Sequence, residues 1–441
     1  MHKLILSLEK IFVIFALFLS TSALIPVLLE KEDSNGFSQD PFSPILFLGI
    51  YVITAILILE YRQIFLQFTR SVAWKNIWIW LLAGMAIASV LWTIEPDITL
   101  RRSILLLGTT VFGAYIAVRY NLREQLELLS WVFGSIIILS FVFAIALPNT
   151  GIMTFQEGGA HAGAWRGVMT HKNLLGRIMV LSSMVFLLRG ISLSPTKQKY
   201  HWIPWLGYGL SILLILLCTS KTALIVSLTL TTIIPLYRTW RRNYTQVMPF
   251  MIAVILVVGS TAILIFDQLD VIATTLGRDL TLTGRTNIWI AMWDIIQERP
   301  LLGYGLNAVW QNWNNEATAY LWKQLEWECP YGHNGFMDLL AELGFSGLGL
   351  FLFGYIITYV KGIKWLRITN NVEGIWPLLY LAFLALYNIS ESTLLANNSI
   401  FWILFVSISF SIVIEYEQVK ICHHLEQKSW NYLEISPHHK Q

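Results

Sequence analysis

Long apolar runs recur from one end of this chain to the other, too often for a soluble core to absorb them. In a bilayer each backbone N–H and C=O must be paired within the spanning element, so runs of about 15–20 apolar residues fold as helices. Twelve such runs are expected, at about 11–29, 45–59, 77–92, 104–118, 128–147, 173–188, 202–217, 222–236, 249–266, 336–360, 376–391 and 400–414. Charged residues make up only 13% of the 441 positions, about half the share of a soluble domain. Trp74, Trp78, Trp202, Trp205 and Trp376 stand near run ends, as an interfacial belt requires. The fold class expected is therefore an all-α polytopic membrane protein of about 12 transmembrane helices with one long outer loop. The first run reads as a span with a short basic lead rather than a cleavable signal. Three cysteines, Cys218, Cys329 and Cys422, form neither a disulfide framework nor a metal pattern. No nucleic-acid partner is expected.

Charge fixes the orientation. With both termini in the cytoplasm, nineteen of the thirty Lys and Arg residues fall on inner segments, ten on outer segments, and Arg177 within a span. That bias follows the positive-inside trend and puts the acidic loop EKEDSNGFSQD outside. The chain divides into helices one to nine (1–266), a long outer loop (267–335), helices ten to twelve (336–414) and a cytoplasmic tail (415–441). A loop of that length in a compact membrane protein is usually functional. Its stretch TNIWIAMWDIIQERP has helical spacing, with Ile288, Met292 and Ile295 on one face. It predicts an amphipathic helix on the membrane surface or over a cavity, ended by Arg299-Pro300 and followed by a turn at GYG.

The outer cations run against the trend. Arg101 and Arg102 precede the fourth span, Arg166 and Lys172 the sixth, Arg177 lies one turn deeper, and Lys221 occupies the turn TSKTA. Arg278, Arg285, Arg299 and Lys323 belong to the long loop. Any one of them could snorkel to lipid headgroups. Converging at the outer mouth of a bundle, they would form a site for a lipid diphosphate, Arg gripping phosphate by its fork and Lys as a point charge.

His333 and Asn334 open the tenth span in YGHNGFMDLLAELGFSG. Gly344 lies eleven residues on, roughly 16 Å along a helix axis, with Gly347 nearby. The expectation is a narrow groove below His333 that admits a polyprenyl tail. Asp338 and Glu342 point the other way and need partners inside the bundle. A neutral imidazole at the mouth could act as general base on a sugar hydroxyl. The plain alternative is an interfacial histidine bonded to a loop carbonyl.

Four stretches together resemble the O-antigen ligase and polymerase superfamily, its exopolysaccharide-polymerase branch in particular. They are His333-Asn334 with Gly344 and Gly347, SVLWTIEPDITLRRS, RGVMTHKNLLGR, and TGRTNIWIAMWDIIQERPLLGYG. The likeness covers about residues 75–360. It implies a membrane-embedded glycosyltransferase that is metal-independent and inverting, with no cofactor. A glycan would pass from an undecaprenyl-diphosphate donor to a glycan or lipid acceptor at the periplasmic face of the bacterial inner membrane, in the service of the cell envelope. His333 would be catalytic, and Arg285, Arg166, Lys221, Arg102, Arg177, Lys172, His171 and Asn334 would hold diphosphate or glycan. Where ligases often carry Arg between spans seven and eight, this chain has Lys221. Glu95 and Asp97 have the spacing of a metal-binding carboxylate pair in related transferases, but a turn with Asp97 capping the fourth span is the favoured reading. His161 and His171 could line the acceptor side. Polymerisation of lipid-linked repeat units is favoured over ligation to a lipopolysaccharide core or a protein. A transporter or lipid flippase is the reading from another class, weakened by the absence of visible paired halves.

Overall fold

The computed structural model describes residues 2–24, 42–155, 161–193, 200–242, 285–369 and 371–435. Among these no strand occurs, and one isolated antiparallel bridge joins Ile152 to Trp165. In chain order the helices are α1 (His2–Leu19), α2 (Phe42–Glu60), α3 (Arg62–Ser71), α4 (Ile77–Ala88), α5 (Pro96–Arg119), α6 (Leu122–Ala146) and α7 (Lys172–Ser192). They continue as α8 (Ile203–Leu217), α9 (Lys221–Arg242), α10 (Arg285–Glu298), α11 (Glu316–Leu325), α12 (Gly335–Ile368), α13 (Trp376–Tyr387) and α14 (Ile400–Ile435).

Six stretches are long and apolar enough to cross a membrane: Ala73–Leu91, Pro96–Arg119, Leu122–Ala146, Lys172–Ser192, Gly335–Ile368 and Ile400–Lys420. α2 and α3, bent by 90° at their junction, make a seventh if they count as one broken span. The chain is a multi-pass membrane protein on these grounds. A count of twelve needs the shorter α1, α8, α9 and α13 to cross as well, and it needs 249–266, which with Arg278 and the acidic loop lies outside the described residues.

α1 begins and ends about nine residues earlier than expected. Its charged lead joins the helix because Glu9 is satisfied inside the bundle. Arg119 grips Glu9 through Nε at 2.8 Å and Nη2 at 3.0 Å, while Tyr115 and Tyr61 donate at 2.6 and 3.0 Å. The helix stops where Ser20 and Thr21 turn their hydroxyls back onto the carbonyls of Ala16 and Phe18. Ser22 and Leu24 then take left-handed backbone conformations.

Contacts between helix ends show an up-and-down bundle. At one end stand Glu9 with Arg119, Lys75 with Glu417, and Arg123 with Glu373. At the other, the Ile400 amide meets the Ser20 carbonyl and the Gly335 amide meets the carbonyls of Asn388 and Glu391. α7 and α14 are the central helices, packed most extensively on α8 and α5. Gly113 brings α5 close to the α14 backbone, where an added Cβ would sit 2.9 Å from the Ile403 carbonyl.

α10 and α11 form a second core beside the bundle. Ile288, Met292 and Ile295 are buried in it, as their spacing predicts. α10 ends at Glu298, and Gly303 and Gly305 turn the chain with positive φ. The partners of this helix are α11 and α12.

The expected groove below His333 is not formed. α12 is broken at Gly344 (φ 64°, ψ −169°), and the backbone of residues 300–305 fills the break. The amides of Phe345 and Ser346 donate to the carbonyls of Pro300 and Leu301, and those of Tyr304 and Gly305 to Ala341 and Glu342. An added Cβ on Gly344 would lie 2.3 Å from the Leu301 carbonyl carbon. This glycine admits a neighbouring peptide, not a lipid tail.

Candidate functional site

His333 sits on a strap between the second core and α12. Its φ of 48° is left-handed, a costly conformation for a β-carbon residue, so its neighbours must impose it. On one side the Gly332 amide donates to both oxygens of Asp338, at 3.0 and 3.2 Å. On the other, Asn334 caps α12, its Oδ1 accepting from the amides of Phe336 and Met337 at 3.0 and 3.2 Å. Asp338 is also held by Trp310 Nε1 at 3.0 Å and by the Ser392 hydroxyl. Glu342 accepts from Asn307 at 3.1 Å. Both acids thus find the partners their position demands.

The His333 ring lies 4.1 Å, centroid to centroid, from that of Tyr331. Its Nδ1 is buried and has no hydrogen-bond partner among the described residues. Burial, then the positive charge of Arg285, then His171, push its pKa down to about 4. The ring is therefore neutral at neutral pH. His171, which caps α7 by accepting from the Asn173 amide at 3.2 Å, is lowered by burial and by Lys172, His161 and Arg166.

Glu391 organises the surroundings. Its carboxylate, 3% exposed, accepts from Asn173 Nδ2 at 3.3 Å, Arg285 Nη2 at 3.5 Å and the Tyr331 hydroxyl at 3.3 Å. Burial, with Glu391 adding to it, raises the Tyr331 phenol, which stays protonated and able to donate. Arg285 is the first residue of α10, where a cation opposes the helix dipole. The carboxylate opposite explains how it stands there. Arg177 lies over the Phe401 ring at 4.7 Å. Its Nε and the Ser390 hydroxyl are buried without partners among the described residues. Leaving such groups unmet costs about 1–3 kcal/mol each, so a polar guest suits this place. The N-termini of α7, α10 and α12 all meet here, and their dipoles favour an anion.

Of the sequence-predicted residues, His333, Arg285, His171 and Arg177 come together around Glu391. Asn334 is adjacent, with its carbonyl oxygen spent on the cap. Arg166 stands behind His171, its guanidinium held by the carbonyls of Thr150, Asn149 and Thr170 at 2.7, 3.1 and 3.4 Å. That use clamps the 149–170 loop. Lys172 is buried beside Thr219, 3.4 Å from its hydroxyl, with Cys218 and Lys221 in electrostatic range. Lys221 itself is exposed. Arg102 is exposed and faces the charge of Glu342 rather than His333. Glu95 receives Asn315 at 3.2 Å, while Asp97 lies in the first turn of α5.

Glu391 and Tyr331 escaped the sequence reading. The signal for Glu391 was a lone acid ending an apolar run in YNISEST, where no cation lies near in sequence.

Comparison with known proteins matches residues 204–352 to the O-antigen ligase family model, a segment that contains Lys221, Arg285 and His333. The chain is also similar to the exopolysaccharide production protein ExoQ of Rhizobium meliloti (strain 1021). The two are 24% identical over 323 residues, which cover 70% of this chain and 69% of that protein. Both matches agree with the resemblance to the O-antigen ligase and polymerase superfamily.

Proposed function

We propose that the chain polymerises glycan repeat units carried on undecaprenyl diphosphate, at the periplasmic face of a bacterial inner membrane. The observation that carries this reading is the cluster of His333, Arg285, Arg177 and Tyr331 around one buried carboxylate. An acceptor hydroxyl attacks the anomeric carbon of the donor glycan. Its proton passes to the neutral His333, and the bond from that carbon to the diphosphate oxygen breaks. The lipid diphosphate leaves with the electron pair, and the anomeric configuration inverts. Arg285 and Arg177 meet the charge that grows on the leaving group. Lys172, Lys221, Arg166 and Arg102 form an outer set that attracts the anion and shapes the loops around it. The step needs no metal.

The likeness to an exopolysaccharide production protein favours polymerisation. The family description over 204–352 favours ligation to a lipid or protein acceptor as the second reading. Full-length protein in nanodiscs with a defined undecaprenyl-diphosphate oligosaccharide separates the two by mass. Products that grow by whole repeat units are expected, and products joined to an added lipid A core would mean ligation. His333→Ala is expected to lower turnover by about 10²–10⁴-fold with insertion unchanged. Wild-type chain lengths from that variant remove His333 from the mechanism.

A further inference from the structure

The second core presents aromatic rings that its own packing does not use. Trp313 and Trp327 are about half exposed, at 53% and 49%, and Trp293 and Tyr320 are exposed as well. These rings are held in place. Trp313 donates its indole N–H to Glu328 at 2.6 Å, beside Trp327, and stands edge-on to the buried Trp322 at 5.1 Å. Tyr320 donates to Asp294, next to Trp293, at 2.9 Å. Each pair thus sets a fixed aromatic face beside a carboxylate.

A membrane interface is the ordinary place for exposed tryptophan. The local charge argues against it here. Residues 285–331 hold five acids (Asp294, Glu298, Glu316, Glu326 and Glu328) against three bases (Arg285, Arg299 and Lys323). A net negative surface is repelled by a phosphate-rich headgroup layer. A sugar fits both features. The C–H face of a pyranose ring is weakly positive and lies on the negative face of an indole, while its hydroxyls donate to carboxylates.

We propose that Trp313 and Trp327, with Glu328 between them, form a glycan-binding platform that holds neutral or amino-sugar units of a chain whose end lies at His333. His333 follows Trp327 by six positions, at most about 20 Å of extended chain. The strap between them is tied down where Trp322 donates to the Cys329 carbonyl at 2.8 Å. This inference rests on the transferase reading for the identity of its ligand, and the platform itself is testable without turnover.

The probe is a set of lipid-free oligosaccharide fragments of the polysaccharide secreted by the cells that make this protein. They are added to the full chain in nanodiscs and followed by saturation-transfer NMR. Transfer to sugar ring protons is expected with the wild type and with His333→Ala. Binding at least five-fold weaker is expected for Trp313→Ala/Trp327→Ala. The Trp313→Tyr/Trp327→Tyr variant keeps a stacking face and should stay within about two-fold of wild type. Equal binding by the alanine variant overturns the platform. So does brominated-lipid quenching of wild-type fluorescence that disappears when these two rings are removed, because the rings then sit in lipid. If the wild type binds fragments through these rings but transfers nothing, the transferase reading fails and the platform stands. If transfer proceeds while the rings contribute nothing to binding, the platform alone fails.

Discussion

At His333 the local field opposes the charge that catalysis would place there. A ring held near pKa 4 is available as an acceptor at neutral pH but is a weak base. A bound diphosphate reverses one cause, because its negative charge offsets Arg285 and raises the imidazole toward the working pH. The pH profile should show this. The free protein governs kcat/KM, so its acid limb should fall only as pH approaches about 4. The limb of kcat reports the loaded protein and should lie at higher pH. Coincident limbs would mean that the bound anion does not reach the ring. Glu391 supports the same centre. Glu391→Ala frees Arg285, Asn173 and Tyr331 at once, and kcat/KM should drop about 10–100-fold with a stability loss of about 1–3 kcal/mol. Glu391→Gln keeps acceptors for Asn173 and Tyr331 and should recover part of both. Unchanged kinetics in the alanine variant would separate this carboxylate from the site. The imidazole was legible in the sequence because a polar pair at the head of an apolar run is conspicuous. Glu391 was not, since its meaning lies in a contact to Arg285 across 106 residues.

At the scale of elements, α10 followed from spacing alone, because burying one face of a helix leaves a periodic trace. The break in α12 left no such trace. Two glycines three apart fit a close helix contact and a broken helix equally well, and the backbone inserted at the break comes from another segment. Gly344→Ala is therefore expected to cost at least about 1–3 kcal/mol from its backbone conformation alone, with the clash against Leu301 in addition. Gly349, with nothing within 4 Å of an added Cβ, is the internal control. Thermal unfolding in detergent should separate the two variants. Similar midpoints for Gly344→Ala and Gly349→Ala would deny the insertion of 300–305 into α12. The strap that carries His333 hangs from this region through Asp338, so Gly344→Ala should also lower turnover.

At the scale of the whole molecule, two ends with different chemistry face opposite ways. One holds paired charges such as Glu9 with Arg119, and the other holds the His333 cluster and the aromatic second core. If the positive-inside bias sets the orientation, Glu316→Cys on α11 should react with a membrane-impermeant maleimide in intact cells. Arg123→Cys, exposed at the other end, should react only after permeabilisation. The opposite pattern would invert the molecule and move the site to the cytoplasm. Hydropathy and charge distribution were sufficient for the class, for most of the long apolar helices and for this expectation, since the bilayer constrains every residue by its own transfer energy; the short helices α3 and α11 carry no such signal. Which cations share a site, which merely tie a loop, and where α12 opens were decided by tertiary structure. Those outcomes depend on pair distances between remote segments, and no single stretch of sequence contains a distance to another.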